Sequence, residues 1–537
     1  MAFHDARRLD AALIIADVCV VGAGAAGITL AREFAGQGNR VALIESGDFE
    51  FRHGAQSLYG GDNIGLANYS TARSRWRTFG GSTTQWNGKC RPLDAIDFEA
   101  RDGIDHSGWP FTRDELEPYY RRAQRICSLG PYDYSWSSWR SAAGGALVSD
   151  DACLESRIFQ FGFPRDFGQV YRAELEAAAN IDVYLNANLI DIELDEPARQ
   201  VTGLCLATLS GRRIRLVAAT YVLACGGIEN ARLLLASNRV VSAGVGNQHD
   251  LVGRFFMDHP YFLIGHYQPA RPEYEPSIYV IEDYERVGSE QKVNAAWSLN
   301  ERTLRHERLN GSAIFCVRRP LYKTQPEYYS TGGKSLVQLI DVLRRRDLAQ
   351  DRLASHARNI VLGFRDVGLL LGRQMANIVR PHRVLALQAV MEATPNPDSR
   401  VTLGQRRDRL GMLRVQVDWR LNTSDQLGLR RLIATMQAQF TRRKLGSFIV
   451  DQSQDAAGWP ISMAGGRHHM GTTRMHLDER RGVVDANCRV HGCANLYIAG
   501  SSVFPTGGYA NPTLTIVALA IRLADHIKTR LRSADAF

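Results

Sequence analysis

Hydrophobic positions form two different patterns along the chain, and the first pattern begins near the N-terminus. The apolar run Val18–Val21 is typical of a strand that is buried on both faces of a parallel sheet. Residues 25–34 follow with apolar positions at helical spacing, and Arg40–Ile44 is a second strand-like run that ends at Glu45. The pattern predicts a strand, a helix and a second strand, which is how a parallel α/β sheet begins.

A similar unit returns about 200 residues later in the chain. The run Tyr221–Cys225 predicts another buried strand, Gly226 and Gly227 follow it, and a helix is predicted to start at Ile228. Near the C-terminus, Leu496–Gly500 predicts a last strand of the same sheet. The parallel sheet is therefore expected to assemble from distant pieces of the chain.

The second hydrophobic pattern lies between about residues 262 and 450. Strands are predicted at Leu263–Tyr267, Val384–Ala393, Val401–Leu403 and Leu413–Trp419. Because no crossover helices separate them, they favour an antiparallel sheet. A helix is predicted over Ser424–Phe440, with Thr423 or Ser424 as its N-cap. Residues 334–380 are mostly helical and basic, and the pattern assigns them no function.

Three glycines lie between the first strand and its helix. Gly22, Gly24 and Gly27 have G-x-G-x-x-G spacing, which allows a tight turn, close approach of a pyrophosphate, and close packing of helix on strand. The helix N-terminus offers free N–H groups to phosphates. Glu45 lies 18 residues after Gly27, where a carboxylate accepts hydrogen bonds from ribose hydroxyls and disfavours a 2′-phosphate. The stretch predicts a site for FAD or NAD.

Composition narrows the class of protein further. The 537 residues are 45% apolar and 23% charged, as in a globular protein of roughly two to four domains. We expect a cytoplasmic protein, since no apolar run reaches the ~18 residues of a membrane span and the N-terminus has no signal-peptide core. The net charge of +9 is scattered, so nucleic acid is not an expected partner. The nine cysteines contain no C-x-x-C pair, and neither disulfides nor a metal site are expected.

Two further stretches carry candidate chemistry. The sequence FGGSTTQWN at Phe79–Asn87 combines glycines with small hydroxyl residues, which predicts a loop that a flat ligand can approach closely. Near the C-terminus, His468 and His469 lie in RHHMGTTRM, and Asn511 precedes Pro512 at a predicted helix start. A helix N-terminus of this kind can face a ligand that gains negative charge.

Taken together, these stretches resemble the glucose–methanol–choline oxidoreductases. The resemblance covers nearly the whole chain and rests on seven motifs in the order of that family. They are GAGAAG at Gly22–Gly27 with Glu45, GGST at Gly80–Thr83, VLACGGIENARLLL at Val222–Leu235, GRFFMDHP at Gly253–Pro260, PNPDSRVTL at Pro395–Leu403, HHMGTTRM at His468–Met475 and NPTLT at Asn511–Thr515. The sequences GYANPTLT and TQW are most similar to the pyranose-oxidase and bacterial sugar-oxidoreductase branch.

The resemblance implies FAD as the cofactor and a fold in two parts. One part is a doubly wound, Rossmann-like and discontinuous FAD-binding domain, and the other is a substrate domain with an antiparallel sheet and helices. Residues 1–95, 176–260 and 466–537 are expected to form the FAD-binding domain, residues 96–175 a substrate or cap segment, and residues 261–465 the substrate-binding domain. Some members attach FAD through a histidine at the position of Gln85. Glutamine cannot form that bond, which implies non-covalent FAD.

The resemblance also implies a catalytic pair. His468 is the expected general base, because an imidazole pKa near neutrality suits that role, and Asn511 is expected to donate a hydrogen bond to the substrate oxygen. The H-x-x-G-T register favours His468 over His469, while His259 and Glu392 are interpreted as structural rather than as ligands of flavin or substrate. The residues expected to contact FAD are Gly22, Gly24, Ala25, Ala26, Gly27, Glu45, Ser46, Gly81, Ser82, Thr83, Gln85, Trp86, Leu189, Ile190, Cys225, Gly226, Gly500, Ser501, Asn511, Pro512 and Thr513.

The implied activity is oxidation of a CH–OH group to a carbonyl, with hydride passing to flavin N5 and the electrons then to O2 or another acceptor. A sugar, glycoside or polyol-like alcohol is the expected substrate. Two alternatives stay open: the same chemistry on a non-sugar alcohol in natural-product tailoring, and a non-redox use of the fold such as a lyase. The sequence leaves open which alcohol is oxidised, which acceptor is used and what the oligomeric state is.

Overall fold

A computed structural model of the chain describes residues 3–66, 70–139, 153–271, 277–281, 292–317, 330, 332–333, 335–336, 339, 353–379, 384–451, 454–455 and 457–534. The strands in this part are β1 (Phe3–Asp5), β2 (Leu13–Val21), β3 (Val41–Ile44), β4 (Asp62–Asn63), β5 (Lys89–Cys90), β6 (Leu154–Phe161), β7 (Ile181–Leu185), β8 (Asn188–Leu194), β9 (Val201–Ala207), β10 (Arg213–Leu223), β11 (Pro260–Pro269), β12 (Lys292–Leu299), β13 (Ser312–Val317), β14 (Leu385–Met391), β15 (Arg400–Arg407), β16 (Leu413–Asp418), β17 (Gly446–Val450), β18 (Ala464–Gly465) and β19 (Leu496–Ile498). The helices are α1 (Ala25–Arg32), α2 (His53–Gln56), α3 (Arg113–Ile126), α4 (Trp136–Trp139), α5 (Phe167–Val170), α6 (Arg172–Ala177), α7 (Gly226–Ala236), α8 (Glu301–Glu307), α9 (Leu353–Leu362), α10 (Phe364–Val379), α11 (Thr423–Arg442) and α12 (Thr513–Ala534).

The first large sheet is the predicted parallel sheet. Its strands run in the order β1-β7-β3-β2-β10-β9-β8, and β19 pairs with β10 beside β9. Val20 is in register with Leu43 on one side and with Val222 on the other, so strands about 200 residues apart in the chain become neighbours. The pairs from β1 to β10 and the β10–β19 pair are parallel, while β9 and β8 add an antiparallel end. The predicted α/β class is confirmed.

The second large sheet is antiparallel and has the strand order β17-β11-β14-β13-β12-β6-β5, with β18 beside β11. Helix α11 covers one face, where Phe440 packs edge-on against Trp297 with ring centroids 5.4 Å apart. The opposite face carries Phe159 and Phe315, which form a small buried cluster with Tyr509 from the C-terminal segment. This face of the antiparallel sheet therefore turns toward the segment that contains Asn511.

Two details differ from the sequence-based expectation. Strands β15 and β16 form a hairpin in a separate three-stranded sheet with β4, instead of joining the larger antiparallel sheet. Helix α11 is capped by Asn422, not by Thr423 or Ser424, because Asp425 accepts a hydrogen bond from the Asn422 N–H at 2.7 Å and completes a capping box. Of residues 334–380, the helical prediction is met at 353–379, and most of the remainder lies outside the described residues.

The five-segment division of the chain stays a prediction. Strand β5 lies within residues 1–95 yet pairs with β6 of the antiparallel sheet, where Cys90 is opposite Gln160. The chain therefore crosses between the two sheets before the predicted boundary at residue 95. No helix in the described part is long and apolar enough to cross a membrane.

Candidate cofactor and active site

A cavity of about 460 Å³ lies at the carboxyl ends of the central parallel strands. Val21 ends β2, Ile44 ends β3 and Ala224 follows β10, and all three residues line the cavity. Open α/β sheets bind their ligands in the crevice at this end of the strands. The volume is in the range of small-molecule and cofactor sites.

The glycine turn forms one wall of the cavity. Gly22 has φ +103°, and a Cβ there would lie 2.7 Å from the carbonyl oxygen of Ala224, so only glycine fits the turn. A Cβ on Gly27 would collide with the carbonyl of Gly22, which shows that this glycine packs helix α1 against the strand. At Gly24 a Cβ would meet no atom within 4 Å, because that position faces the open cavity. Gly24 therefore leaves room for the close approach of a phosphate that the sequence predicts.

Glu45 lines the same cavity and braces the glycine turn. Its carboxylate accepts hydrogen bonds from the backbone N–H groups of Ala23, at 3.0 Å, and Gly47, at 2.7 Å. Burial raises the pKa of Glu45, although these two donors partly oppose the shift. The side chain is thus held in a fixed orientation, with the carboxylate at the cavity wall where a ribose contact is predicted.

The GGST loop packs directly against the glycine turn. Gly81 begins a short 3-10 helix, and a Cβ on it would lie 2.9 Å from the Cα of Gly24. The hydroxyl of Thr83 accepts a hydrogen bond from the N–H of Phe167 at 3.1 Å, which ties the loop to helix α5. Trp86 lines the cavity while its indole N–H donates to the carbonyl of Arg165 at 2.7 Å. The loop thus forms a second, firmly held wall.

Sequence reasoning missed a buried charged cluster beside this loop. The Glu229 carboxylate forms ion pairs with Arg75 at 2.9 Å and Arg77 at 2.7 Å, and both guanidinium groups lie over the ring of Tyr59. Burial would raise the pKa of Glu229, but these arginines and Arg232 outweigh it and lower the pKa to about 2. Glu229, Arg75, Arg77 and Tyr59 all line the cavity. The basic run RSRWR immediately before the GGST loop was the available signal.

His468 and Asn511 meet at the cavity wall although they are 43 residues apart in the chain. The Asn511 Nδ2 lies 3.2 Å from Nε2 of His468, and Nδ1 of His468 lies 2.9 Å from Nδ1 of His259. The Asp258 carboxylate accepts hydrogen bonds from the backbone N–H groups of His468, at 2.8 Å, and Arg467, at 3.1 Å. The MDHP motif therefore holds both the main chain and the ring of His468.

The histidines in this cluster are shifted strongly toward the neutral form. His468 is partly open to the cavity but shielded from bulk water, and this desolvation lowers its pKa well below the usual value of 6.5, with further lowering by His259, His469 and Lys89. Burial also lowers the pKa of His259 to about 4 and that of His469 to about 3. All three imidazoles are neutral at neutral pH, and the pKa of His468 lies below the near-neutral value that the sequence suggests.

His469 contributes to the wall through both its main chain and its ring. Its carbonyl oxygen accepts a hydrogen bond from the hydroxyl of Ser501 at 2.7 Å, and a Cβ on Gly227 would collide with the same oxygen. Its ring packs beside Phe256, with centroids 5.8 Å apart. These contacts anchor the glycine segments around the cavity.

Most residues predicted to contact the cofactor do line the cavity. The predicted cofactor contacts found there are Gly22, Gly24, Ala25, Ala26, Glu45, Ser46, Gly81, Ser82, Thr83, Gln85, Trp86, Leu189, Cys225, Gly226, Gly500, Ser501, Asn511, Pro512 and Thr513. Gly27 and Ile190 do not line it. Gly27 faces the strand beneath the turn, and Ile190 packs on the hydrophobic core because successive strand residues point to opposite faces.

The interpretation of Glu392 as a structural residue agrees with its contacts. Glu392 is fully buried and accepts two hydrogen bonds from Arg101, at 2.9 and 2.7 Å, so its carboxylate is committed to a structural ion pair.

Helix α12 begins at Thr513, one residue later than predicted, since the carbonyl of Pro512 accepts the first helical bond from the Ile516 N–H at 2.9 Å. Its N-terminus still faces the cavity, which Pro512 and Thr513 line.

Comparison with known proteins agrees with this geometry. Residues 17–249 match the family model of FAD dependent oxidoreductases, and residues 395–520 match that of GMC oxidoreductases. The chain is 27% identical to 6'''-hydroxyparomomycin C oxidase of Streptomyces lividus, covering 97% of this chain and 92% of that protein. It is 23% identical to the fructose dehydrogenase large subunit of Gluconobacter japonicus, covering 96% and 98%. Pyridoxine 4-oxidase from Mesorbium loti shares the fold, with a TM-score of 0.60 at 17% identity over 95% of this chain and 98% of that one.

The fold, the glycine-lined cavity and these matches define the protein as an FAD-dependent oxidoreductase. More specifically, the chain belongs to the glucose–methanol–choline (GMC) oxidoreductase family, with sugar and aminoglycoside oxidoreductases among its relatives. The family predicted from the seven sequence motifs is confirmed.

Proposed function

We propose that the enzyme oxidises a CH–OH group of a carbohydrate-like alcohol to a carbonyl, with His468 as the general base and Asn511 as a hydrogen-bond donor to the substrate oxygen. The observation that carries the proposal is the pairing of Nε2 of His468 with Nδ2 of Asn511, 3.2 Å apart at the cavity wall. The names of the relatives support the substrate class, since paromamine, hydroxyparomomycin C and fructose are all carbohydrates or aminoglycosides.

The residues of the cavity suit FAD. The open position at Gly24 and the N-terminus of α1 would accept the pyrophosphate, and Glu45 would accept hydrogen bonds from the adenosine ribose. Bound FAD supplies the acceptor for the hydride that leaves the alcohol carbon. Gln85 lines the cavity where some relatives attach the flavin, and its carboxamide is not a nucleophile. We therefore assign non-covalent FAD.

The protein's own part in the reaction is to hold the alcohol and remove its proton. Nε2 of His468 accepts the hydroxyl proton as the carbonyl forms, and the Asn511 amide donates to the same oxygen and keeps it in line. Desolvation keeps His468 neutral before substrate binds, so its lone pair is available as a base. The positive end of the α12 dipole faces the cavity and favours negative charge that develops there.

An anaerobic substrate screen tests this function. Purified holoenzyme is mixed without oxygen with hexoses, glycosides, aminoglycosides, polyols and simple alcohols, and loss of the visible flavin absorbance is followed before air is admitted. We expect a carbohydrate or aminoglycoside to bleach the flavin, and the response to air shows whether O2 is the acceptor. Bleaching by non-sugar alcohols alone would support the alternative substrate class, and no bleaching by any CH–OH donor would rule out the proposal.

A further inference from the structure

Helices α9 and α10 expose an unusual concentration of large apolar side chains. Val361, Leu362 and Phe364 are 70%, 72% and 74% exposed, and Leu369 and Leu371 are 48% and 43% exposed. These five are among only thirteen large apolar residues that are exposed in the described part of the chain, and they fall within eleven consecutive positions. Contiguous exposed apolar surface of this kind marks a site of interaction.

The opposite stripe of the same helices attaches them to the protein. Val367 and Leu370 are 8% and 2% exposed, and a Cβ on Gly363 would lie 2.9 Å from the Cα of Gly332. Gly363 joins the two helices directly: its N–H donates to the carbonyl of Asn359 at 2.9 Å at the end of α9, and its carbonyl accepts from the N–H of Val367 at 3.0 Å at the start of α10. The helices therefore meet at Gly363, and the outward side of both is exposed.

The outward side of each helix combines apolar and basic residues. On α9, Arg358 precedes Val361 and Leu362 by three and four positions, and on α10, Arg365 precedes Leu369 by four, spacings that place these side chains on one side of their helix. Arg358 and Arg365 are both exposed. Neither forms an ion pair with any residue that the structure describes.

We propose that this outward side, defined by Val361, Leu362, Phe364, Leu369 and Leu371 with Arg358 and Arg365 and called the exposed apolar face, docks the enzyme on an anionic lipid bilayer. Helices α9 and α10 lie along the membrane surface, with the apolar side chains in the boundary between headgroups and acyl chains. The long arginine side chains reach back to the lipid phosphates. The association is peripheral, and it is independent of the proposed substrate.

The mixture of apolar and basic residues on two helices favours a bilayer over a second copy of the chain. The five apolar side chains are divided between α9 and α10, which meet at Gly363, so a single two-helix seam would not cover all of them. A two-fold contact would also bring Arg358 and Arg365 of both copies close together, which is unfavourable, whereas an anionic surface contacts the apolar side chains of both helices and both charges at once.

Vesicle sedimentation tests the proposal. The full-length holoenzyme is mixed with vesicles of phosphatidylglycerol and phosphatidylcholine, or of phosphatidylcholine alone, and the bound fraction is measured after centrifugation. We expect binding to the acidic vesicles, at least a fivefold smaller bound fraction for the double variant Leu362→Ser/Phe364→Ser, and a similar loss for Arg358→Glu/Arg365→Glu. Binding should also weaken at about 0.5 M salt, which screens the charge interaction.

Leu477→Ser is the matched control, because Leu477 is 70% exposed but lies far along the chain from the exposed apolar face. It should bind vesicles as the unmodified enzyme does, and FAD content confirms that each variant is folded. Absence of sedimentation with acidic vesicles, or undiminished sedimentation of Leu362→Ser/Phe364→Ser, would overturn the proposal. A dimer in solution that this double variant converts to a monomer, without vesicle binding by either, would show instead that the face joins two copies.

Discussion

The Nδ1 atoms of His468 and His259 lie 2.9 Å apart, so one imidazole must donate a proton to the other. On its other side, Nε2 of His468 is 3.2 Å from the amide nitrogen of Asn511, which can only donate. In this amide orientation Nε2 is the acceptor, and the single proton of the neutral ring lies on Nδ1 and points to His259. By accepting that proton, His259 stabilises the tautomer in which Nε2 carries a lone pair instead of a proton, as a general base requires.

Replacement of His259 tests this arrangement. His259→Leu removes the acceptor and leaves the Nδ1 proton of His468 without a partner, so we expect flavin reduction to slow by about 10-fold to 10²-fold, part of the range for general-base catalysis. His259→Gln can accept through its amide oxygen and should recover most of the rate. Because His259 lowers the pKa of His468, the acid limb of the rate profile should also move to higher pH in His259→Leu. Equal losses in both variants, with an unmoved limb, would mean that His259 only fills space.

The sequence predicted what local chemistry determines and missed what distant contacts determine. The roles of Gly22 and Gly27 were readable because the turn and its packing involve neighbouring residues. The pairing of His468 with Asn511 came from the family motifs. The link between His468 and His259 spans 209 positions, and no periodicity or spacing reports such a contact. The same holds for Arg75 and Glu229, 154 positions apart, whose pairing depends on how the segment before the GGST loop meets α7.

The buried histidines predict loss of stability in mild acid. The folded pKa is lowered to about 4 for His259 and to about 3 for His469, against 6.5 for the unfolded chain. Below pH 6.5 the unfolded state therefore binds more protons, and the free energy of unfolding falls as the pH falls. Each histidine contributes about 1.4 kcal/mol per pH unit until its folded pKa is reached.

We expect the Tm of the holoenzyme to decrease between pH 6.5 and about pH 5, before most carboxylates titrate. Thermal unfolding at constant ionic strength measures the slope, and His469→Gln should show a shallower one because it removes a titrating group. A Tm that is constant over this interval, or an unchanged slope in the variant, would contradict the prediction.

Gln85 leads to a prediction about the attachment of FAD. The purified enzyme should be yellow with one FAD per chain, and acid precipitation should release that FAD into the supernatant, because a carboxamide cannot attack the flavin. Absorbance of the supernatant and pellet measures the partition. Flavin that remains with the washed pellet would show that another residue forms a covalent bond.

Glu45→Gln tests the predicted ribose contact. The change preserves size and removes the negative charge, and charged hydrogen bonds contribute roughly 1.5–3 kcal/mol, so FAD should bind about 10-fold to 10²-fold more weakly. The spectrum of the FAD that does bind should be normal. Titration of the apoprotein with FAD gives the affinity, and Glu174→Gln is the control, since Glu174 pairs with Arg32 and is not among the residues that line the cavity. Unchanged affinity in Glu45→Gln would remove Glu45 from the ribose site.

The roles of His468, Asn511 and His469 can be separated by three alanine variants. His468→Ala should lose the proton-transfer contribution, about 10²-fold to 10⁴-fold in flavin reduction, while FAD stays bound. Asn511→Ala should also slow reduction but keep the shape of the pH profile, because an amide does not titrate. His469→Ala should affect reduction least, since the hydrogen bond of His469 to Ser501 uses its main-chain carbonyl.

The pH dependence gives the sharpest distinction among these variants. Burial lowers the pKa of His468, so in the unmodified enzyme reduction should slow only when the pH falls well below 6.5 and the base becomes protonated. That acid limb should be absent from the residual rate of His468→Ala and present in Asn511→Ala and His469→Ala. Stopped-flow reduction across a pH series, with the substrate found in the anaerobic screen, provides the measurement. If His468→Ala were reduced at the unmodified rate while His469→Ala was inactive, the base would be His469, and if both were reduced normally, neither histidine would remove the proton.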